Sequence, residues 1–555
     1  MDLPRRLRWA KPRFVNASAQ AAATLLAIAA AGGCHATDKA FCANQGCDWT
    51  GTEWARVQTL SPLPAPPLDL SNAHAGDPAA VALGQAFYFD TRFSGTATVV
   101  DSLERPVAAA RAPKGAPINV SCATCHDPQR AGTDDTSVPR TVSVGAGIYD
   151  VNGEQTANAA FYPLLYWNGR SDSLWSQAVA VNESSFSMNS SRLQDFWVVV
   201  NVYADRYNQV FPEAPLPVAP TTAQFPPNGK PGSVAGCQAG SPTEPFGDAF
   251  DCMTADDQQV VDQVFANWGK AIAAYESTLV SANSAFDRFV KDGPGSGWIS
   301  AAAEHGARLF VGKASCIDCH NTPLLSDGRF HDIAVPQAGN YVPTMDDCPP
   351  GSPVCDCTPG DESRTCEPSG AWAGALRLTA ASAKTFRRDG PYSDAPGDGP
   401  GPGGEPCATT TIAAAPADCS AGPDPALKGA WRTPSLRDVA LTAPYMHDGY
   451  YPTLADVVQH YNRGGVPGAG TSFTSADAGA NGPHVAVQLK PLDLTDQEAA
   501  DLVAFLETLT GAALPSEQTS APPVDAGAPA VDARAPADAN LDGQADAQVA
   551  PSPGP

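Results

Sequence analysis

The sequence predicts a mainly α-helical protein. Apolar residues recur at three-and-four spacing in the longer segments, Thr residues with an acidic residue three positions on open several of them, and strand-like alternation is rare. The pattern turns helical at Val81, with Leu83, Phe87 and Phe89 leading into Asp90. Thr254, followed three residues later by Asp257, opens the strongest helix. Its stripe is Val261, Val264, Phe265, Trp268, Ile272, Tyr275 and Leu279. Thr453 with Asp456 opens another helix. Thr495 with Glu498 is a capping box for a last helix that ends at Gly511.

Between these segments the chain is punctuated. Residues 1–33 read as a signal peptide. Arg5, Arg6, Arg8, Lys11 and Arg13 precede a small apolar run, Ala19 to Ala31, too short to span a bilayer. The run ends at Ala31-Gly32-Gly33-Cys34, which resembles a bacterial lipobox with Ala where Leu is usual. Lipid attachment at Cys34 and ordinary cleavage both remain open. Residues 34–75 read as an irregular extension and 212–250 as a Pro-rich surface insertion. Gly293-Pro294-Gly295 separates a segment 76–293 from a segment 294–512, which carries a second insertion at 336–425. Residues 513–555, rich in Ala, Pro and Asp, read as a disordered tail. The expected location is the bacterial periplasm, anchored to a membrane only through Cys34.

The 555 residues include 34 Lys and Arg against 59 Asp and Glu, a net charge of −25. That balance argues against nucleic acid, whose phosphates need clustered cations. Apolar residues make up 43% of the chain, enough for a buried core. Of 15 cysteines, four fall in two Cys-x-x-Cys-His runs and one is Cys34. The remaining ten are an even number, as disulfides in an exported chain require. Their pairing is not deducible; Cys42–Cys47 and Cys237–Cys252 are the nearest neighbours.

The chemistry sits at Cys122-Ala-Thr-Cys125-His126 and Cys316-Ile-Asp-Cys319-His320. On a helical turn, thiols at i and i+3 share a face and can bond the two vinyl groups of one haem. The adjacent His then supplies the proximal iron ligand. One such match could be a disulfide or half of a zinc site. Two, both followed by His, point to two covalently bound haem c groups. The other histidines (35, 74, 305, 331, 447, 460 and 484) form no paired zinc motif.

Beyond these runs, the chain carries Leu83-Gly84…Phe89-Asp90…Ser94, Ser143-Val-Gly145, Tyr166-Trp-Asn-Gly-Arg170, Leu174, Gln177-Ala178, Ser277-Thr-Leu-Val, Phe286-Asp-Arg288, Gly306, Leu309-Phe310 and Arg432-Thr-Pro-Ser-Leu-Arg437…Leu441-Thr-Ala-Pro-Tyr-Met-His-Asp-Gly449. In these markers it resembles the bacterial dihaem cytochrome c peroxidase family, which includes the dihaem enzyme that matures the quinone of methylamine dehydrogenase. The resemblance covers about 80–211, 254–335 and 427–511. It implies two cytochrome c-like haem domains facing each other across a calcium site. The haem on His126 would be peroxidatic, and the haem on His320 would take electrons from a donor.

The resemblance also implies roles for single residues. Trp167 falls where the family places an indole between the haems, and Gln177 where a glutamine lines the distal pocket. The family's distal acid–base carboxylate corresponds to Ser187, just before Met188. A hydroxyl is a poor proton acceptor near neutral pH, and Glu183 in the same loop is a candidate substitute. Ala146 stands where many members have a displaceable distal His, so the distal face of the His126 haem is expected to be open, or closed by some other group. Tyr461, in His460-Tyr-Asn-Arg-Gly-Gly465, stands where peroxidases have a Met ligand and the maturation enzyme a Tyr. Phenolate favours ferric iron. Val457 and Val458 place Tyr461 on the inner helix face, which also suits a core tyrosine. Met446 and His447 are competing ligands. Asn152, Thr442 and Pro444 match the calcium site. The run Asp538-Ala-Asn540-Leu-Asp542-Gly543 lacks the closing Glu of a calcium loop, with Val549 in its place, and reads as a polar linker.

The leading expectation is therefore a cytochrome-c peroxidase-type oxidoreductase. It would reduce hydrogen peroxide with electrons from a small redox protein, a cytochrome c or a cupredoxin. Two alternatives stay open: oxidation of a protein or metabolite through a high-valent dihaem state, which Tyr461 and Ala146 favour, and a non-enzymatic dihaem electron carrier, which Ser187 favours.

Overall fold

The computed structural model describes residues 48–101, 105–107, 111–134, 143–232, 247–336, 370–371, 374–375, 378, 383–396, 430–465 and 489–522. The signal segment, Cys34, most of the 336–425 insertion and the calcium-loop-like run in the tail lie outside them. So do nine of the ten cysteines left for disulfides, Cys252 being the exception.

The described chain is helical with little sheet. Its helices are α1 (Gly51–Gln58), α2 (Pro78–Phe89), α3 (Cys122–Cys125), α4 (Leu174–Asn182), α5 (Arg192–Val202), α6 (Ala204–Val210), α7 (Gly247–Asp251), α8 (Ala255–Glu276), α9 (Ala285–Asp292), α10 (Ala301–Val311), α11 (Leu454–Asn462) and α12 (Asp496–Glu507). Strands β1 (Phe330–His331) and β2 (Trp431–Arg432) pair antiparallel, Phe330 opposite Arg432 and His331 opposite Trp431. By contact density the chain divides into residues 1–54 and 55–555. In the first, Trp49 and Trp54 meet edge to face, with centroids 5.4 Å apart.

Local chemistry starts the helices where the sequence predicts. Thr254 accepts from the Asp257 N–H at the start of α8, Thr453 from Asp456 at α11, and Thr495 from Glu498 at α12. Two expectations need correction. The 34–75 extension is not wholly irregular, because Thr50 and Glu53 cap α1 reciprocally. The 212–250 segment is not merely superficial either. Leu216 and Phe225 are buried in the main core, and the Trp197 indole donates to the Phe225 carbonyl at 3.1 Å.

The predicted stripe of α8 packs against α2 and α4, with Leu83, Phe87, Phe93, Phe196 and Trp268 at the centre. A second aromatic group joins α9, α10 and α12: Phe505 lies 5.3 Å from Phe286 and 5.1 Å from Phe310. The chain thus changes packing partners before α9, ahead of the Gly293–Gly295 break. Arg437, 1% exposed, ties α9 to the loop after β2 through two hydrogen bonds to Asp287, at 2.9 and 3.0 Å. Against the upward push of burial, this guanidinium holds Asp287 down to about 2. Among the described residues no helix is long and apolar enough to cross a membrane.

Helices α2 and α8 cross closely because α2 offers Gly84. A Cβ built there would stand 1.8 Å from the Ala271 carbonyl oxygen of α8. Gly84→Ala should therefore cost about 2–3 kcal/mol by overpacking. Urea unfolding would show this as a lower midpoint, and an unchanged midpoint would mean the two helices separate freely.

Candidate functional site

Each Cys-x-x-Cys-His run forms one helical turn at the edge of its own cavity. In the first, α3 is followed by His126, whose N–H donates to the Cys122 carbonyl at 2.9 Å. The His126 Nδ1 lies 3.1 Å from the Gly132 carbonyl oxygen. A carbonyl only accepts, so Nδ1 carries the proton and Nε2 keeps a lone pair for a metal. The second run repeats this: His320 Nδ1 sits 2.7 Å from the Leu325 carbonyl oxygen. Both imidazoles have the tautomer that proximal haem ligands need.

The first cavity, open in part to solvent, spans about 1220 Å³ and is lined by Cys122, Cys125, His126, Gln177, Ser187 and Met188, among others. The second spans about 1440 Å³, and Cys316, Cys319, His320, Met446, His447 and Tyr461 are among its lining residues. Trp167 and Arg432 line both.

That shared wall is tightly specified. The Trp167 indole donates to the Asn152 carbonyl at 3.0 Å, and the Trp167 carbonyl accepts from the Arg432 N–H at 2.8 Å. The His447 ring lies 6.4 Å from the Trp167 ring and stacks on Trp431, with centroids 4.0 Å apart and planes 14° apart. Burial pushes His447 down to about 3, so the stacked imidazole is neutral at ordinary pH. Arg432 is 2% exposed. Its Nη2 pairs with the Glu154 carboxylate, its Nε donates to the Tyr166 carbonyl at 3.3 Å, and its guanidinium covers the Tyr162 ring at 3.6 Å. Its Nη1 has no hydrogen-bond partner among the described residues. A buried, unsatisfied cationic N–H on the wall of both cavities suits the carboxylates of a haem. The cavity sizes, the imidazole tautomers and this donor all fit two bound haems.

The candidate residues divide into those that face the cavities and those that do not. Gln177, on α4, and Ser187 both line the first cavity. Glu183 is not among the lining residues. Its carboxylate grips Arg192 at 2.7 and 2.9 Å, and Arg192 also holds Asp262 at 2.6 Å. A carboxylate committed to a buried guanidinium cannot stand in for the acid–base group that Ser187 replaces. Ala146 is fully buried in the core, and among the described residues His126 is the sole histidine lining the first cavity. Tyr461 faces the second cavity, as does Met446. Burial pushes the Tyr461 phenol above its usual range. His460 is engaged at both ring nitrogens, with the Tyr451 hydroxyl at 2.9 Å and the Ile333 carbonyl at 2.8 Å, which fixes α11 and with it Tyr461.

Asn152 and Pro444 also come together, but as an amide Nδ2–H donating to the Pro444 carbonyl at 2.5 Å. A donor cannot ligate a cation. Calcium here would require the amide turned over to present Oδ1. Thr442 spends its hydroxyl on the Val439 carbonyl at 3.0 Å, leaving its own carbonyl as its candidate ligand atom.

Among the lining residues that sequence reasoning missed are Tyr149, Glu154, Glu276 and Trp431. Glu276 ends α8 inside the apolar stripe, between Tyr275 and Leu279, and that position was the available signal. It is 6% exposed, and no salt bridge to it is seen among the described residues. Burial raises its carboxyl from 4.5 to about 8. The folded protein then binds more protons than the unfolded chain between these values. Stability should fall as pH rises through that window, by up to about 4–5 kcal/mol. Glu276→Gln should flatten this dependence in urea unfolding at about pH 5 and about pH 8. An equal slope in both proteins would mean that Glu276 is ionised in the fold.

The family model described as "Di-haem cytochrome c peroxidase" matches residues 78–226. "Cytochrome-c peroxidase IdrP1" of Pseudomonas sp. (strain SCT) is 27% identical over 455 residues, covering 81% of this chain and 85% of that protein. "Methylamine utilization protein MauG" of Methylorubrum extorquens is 26% identical over 432 residues, covering 78% of each. A crystal structure of a MauG-like protein associated with microbial copper homeostasis aligns with a TM-score of 0.48 at 21% identity, covering 83% of this chain and 97% of that one. The two Cys-x-x-Cys-His runs, each at its own cavity, agree with the dihaem family whose model matches residues 78–226.

Proposed function

We propose that this dihaem oxidoreductase reduces hydrogen peroxide at the His126 cavity with electrons that enter through the His320 cavity from a small periplasmic redox protein. The observation that carries the reading is the pair of haem-attachment turns on separate cavities sharing the Trp167–Arg432 wall. When bound, each haem stores an electron and offers iron as a Lewis acid to an oxygen ligand. The chain's own residues would do the rest. His126 and His320 would hold iron through Nε2, and Cys122, Cys125, Cys316 and Cys319 would carry the covalent attachments. Gln177 and Ser187 line the cavity that would take the reacting ligand. Tyr461 would be a further iron ligand in the His320 cavity, with Met446 its competitor. Trp167, on the shared wall, would relay electrons between the two cavities, and Arg432 would pair with haem carboxylates.

The reading extends to an exported protein, lipid-anchored at Cys34, with disulfides among the ten remaining cysteines. It also includes one Ca²⁺ on Asn152, Thr442 and Pro444, with the Asn152 amide turned over. A second reading is oxidation of a protein or metabolite. Tyr461 beside His320, together with a hydroxyl rather than a carboxylate at 187, favours it.

Pyridine haemochrome analysis should give two haems per chain, and Cys122→Ala or Cys319→Ala should remove or loosen one. A single haem in the parent protein would refute the architecture. Reduced cytochrome c should drive steady-state peroxide turnover; none would transfer weight to substrate oxidation or to simple electron carriage.

Tyr461→Phe should change the spectrum and potential of the His320 haem and leave the His126 haem unaltered. No spectral change would make Tyr461 a core residue. Ser187→Glu should raise the rate of reaction with peroxide, since a positioned acid–base group contributes about 10²–10⁴-fold. An unchanged rate would put the proton route elsewhere.

A further inference from the structure

We propose that Tyr149 is the hydrogen-bond donor that a small oxygen or anion ligand meets on the His126 haem, held in place by Ser187. The proposal rests on the reading of His126 as a haem ligand with a free distal face.

Three tyrosines line the first cavity: Tyr149, Tyr162 and Tyr166. Two are committed. The Tyr162 hydroxyl accepts the Ser435 backbone N–H beneath Arg432. The Tyr166 hydroxyl donates to the Gln177 carbonyl at 3.1 Å. Tyr149 is different. Its hydroxyl oxygen accepts from the Ser187 hydroxyl. A phenol that accepts still has its own proton to give. The phenol's own proton goes to Ser184 Oγ at 3.5 Å, a bond at the limit of length. A better acceptor in the cavity can take that proton over with little loss.

The ring is also fixed. The 143–149 loop lies against the loop that carries Ser187: Ala146 N–H donates to the Ser187 carbonyl at 2.6 Å and Gly147 N–H to the Phe186 carbonyl at 3.1 Å. Gly145 permits this approach, because a Cβ there would fall 2.4 Å from the Ser187 oxygen. Tyr149 packs edge to face on Phe186, with centroids 4.7 Å apart. It also stands near Tyr166, on the Gln177 side of the cavity: after burial and the opposing Arg170, its phenol adds to the upward push on Tyr166. His126 is tied to a different segment, through Gly132.

The pair supplies what position 187 alone does not. Ser187 is 7% exposed and gives its hydroxyl to the phenol, so it orients Tyr149 rather than acting on a ligand itself. A neutral donor in this place stabilises negative charge on an atom bound to iron, which is the requirement the missing carboxylate leaves open.

Fluoride binding to the ferric dihaem protein tests this without turnover, because fluoride accepts a hydrogen bond and reports through the haem spectrum. Tyr149→Phe keeps the ring on Phe186 and removes only the hydroxyl. It should weaken fluoride binding about 10-fold, the worth of one hydrogen bond to a charged acceptor. Ser187→Ala should weaken binding by a smaller factor, since the donor remains but is less well oriented. Equal affinities of parent and Tyr149→Phe would overturn the proposal alone. Tighter binding together with a changed resting spectrum would also overturn it, by making the phenol an iron ligand. A parent protein that takes no fluoride would overturn both this proposal and the open distal face.

Discussion

Two large cavities share one wall, and the wall depends on the hydrogen bond from the Arg432 N–H to the Trp167 carbonyl. Trp167 comes from the 166–170 loop and Arg432 from β2, separated by more than half of the chain's helices. The two-residue pairing of β1 with β2 sets Arg432 opposite Phe330 and His331 opposite Trp431. A strand this short has little stability of its own. It matters because it aims one cation at both cavities and one indole, Trp431, at the second. The Trp167 indole is anchored from the other side by the Asn152 carbonyl, so the ring between the cavities has little freedom.

Arg432 is a charge that a helical core could not bury by itself. Removing a guanidinium from water costs several kcal/mol unless anions and acceptors replace the lost hydration. Glu154 supplies one anion, the Tyr166 carbonyl one acceptor, and the Tyr162 ring one face. Burial alone would push Glu154 up, and the Arg432 guanidinium opposes this. The unpartnered Nη1 is the atom that would hold a haem carboxylate at this wall.

The acid–base character of the first cavity follows from where its carboxylates went. Glu183 was spent on Arg192, and position 187 is a serine that is itself spent on Tyr149. Glu276 remains, as a carboxyl that burial keeps protonated near neutral pH. Away from Arg170 and the Arg432–Glu154 pair, the cavity thus offers neutral hydrogen-bonding groups, in a chain whose overall charge is −25.

The sequence by itself determined the haem-attachment turns, the helix starts at Thr254, Thr453 and Thr495, and the stripe of α8. All of these are set by residues within a turn or two of each other, where spacing alone dictates which groups share a face. Cys-x-x-Cys-His reads as chemistry for the same reason. What only the tertiary structure decided is which distant groups meet. Glu183 and Ser187 are four residues apart and carried similar promise, yet one turns to Arg192 and the other to Tyr149. Trp431 stacks on His447, Glu154 meets Arg432 across the chain, and Phe286 packs on Phe505 ahead of the Gly293 break. Many partners would satisfy a buried charge or ring equally well by type. The selection among them comes from close packing, which acts only once helices such as α2 and α8 have docked, and which no local pattern records.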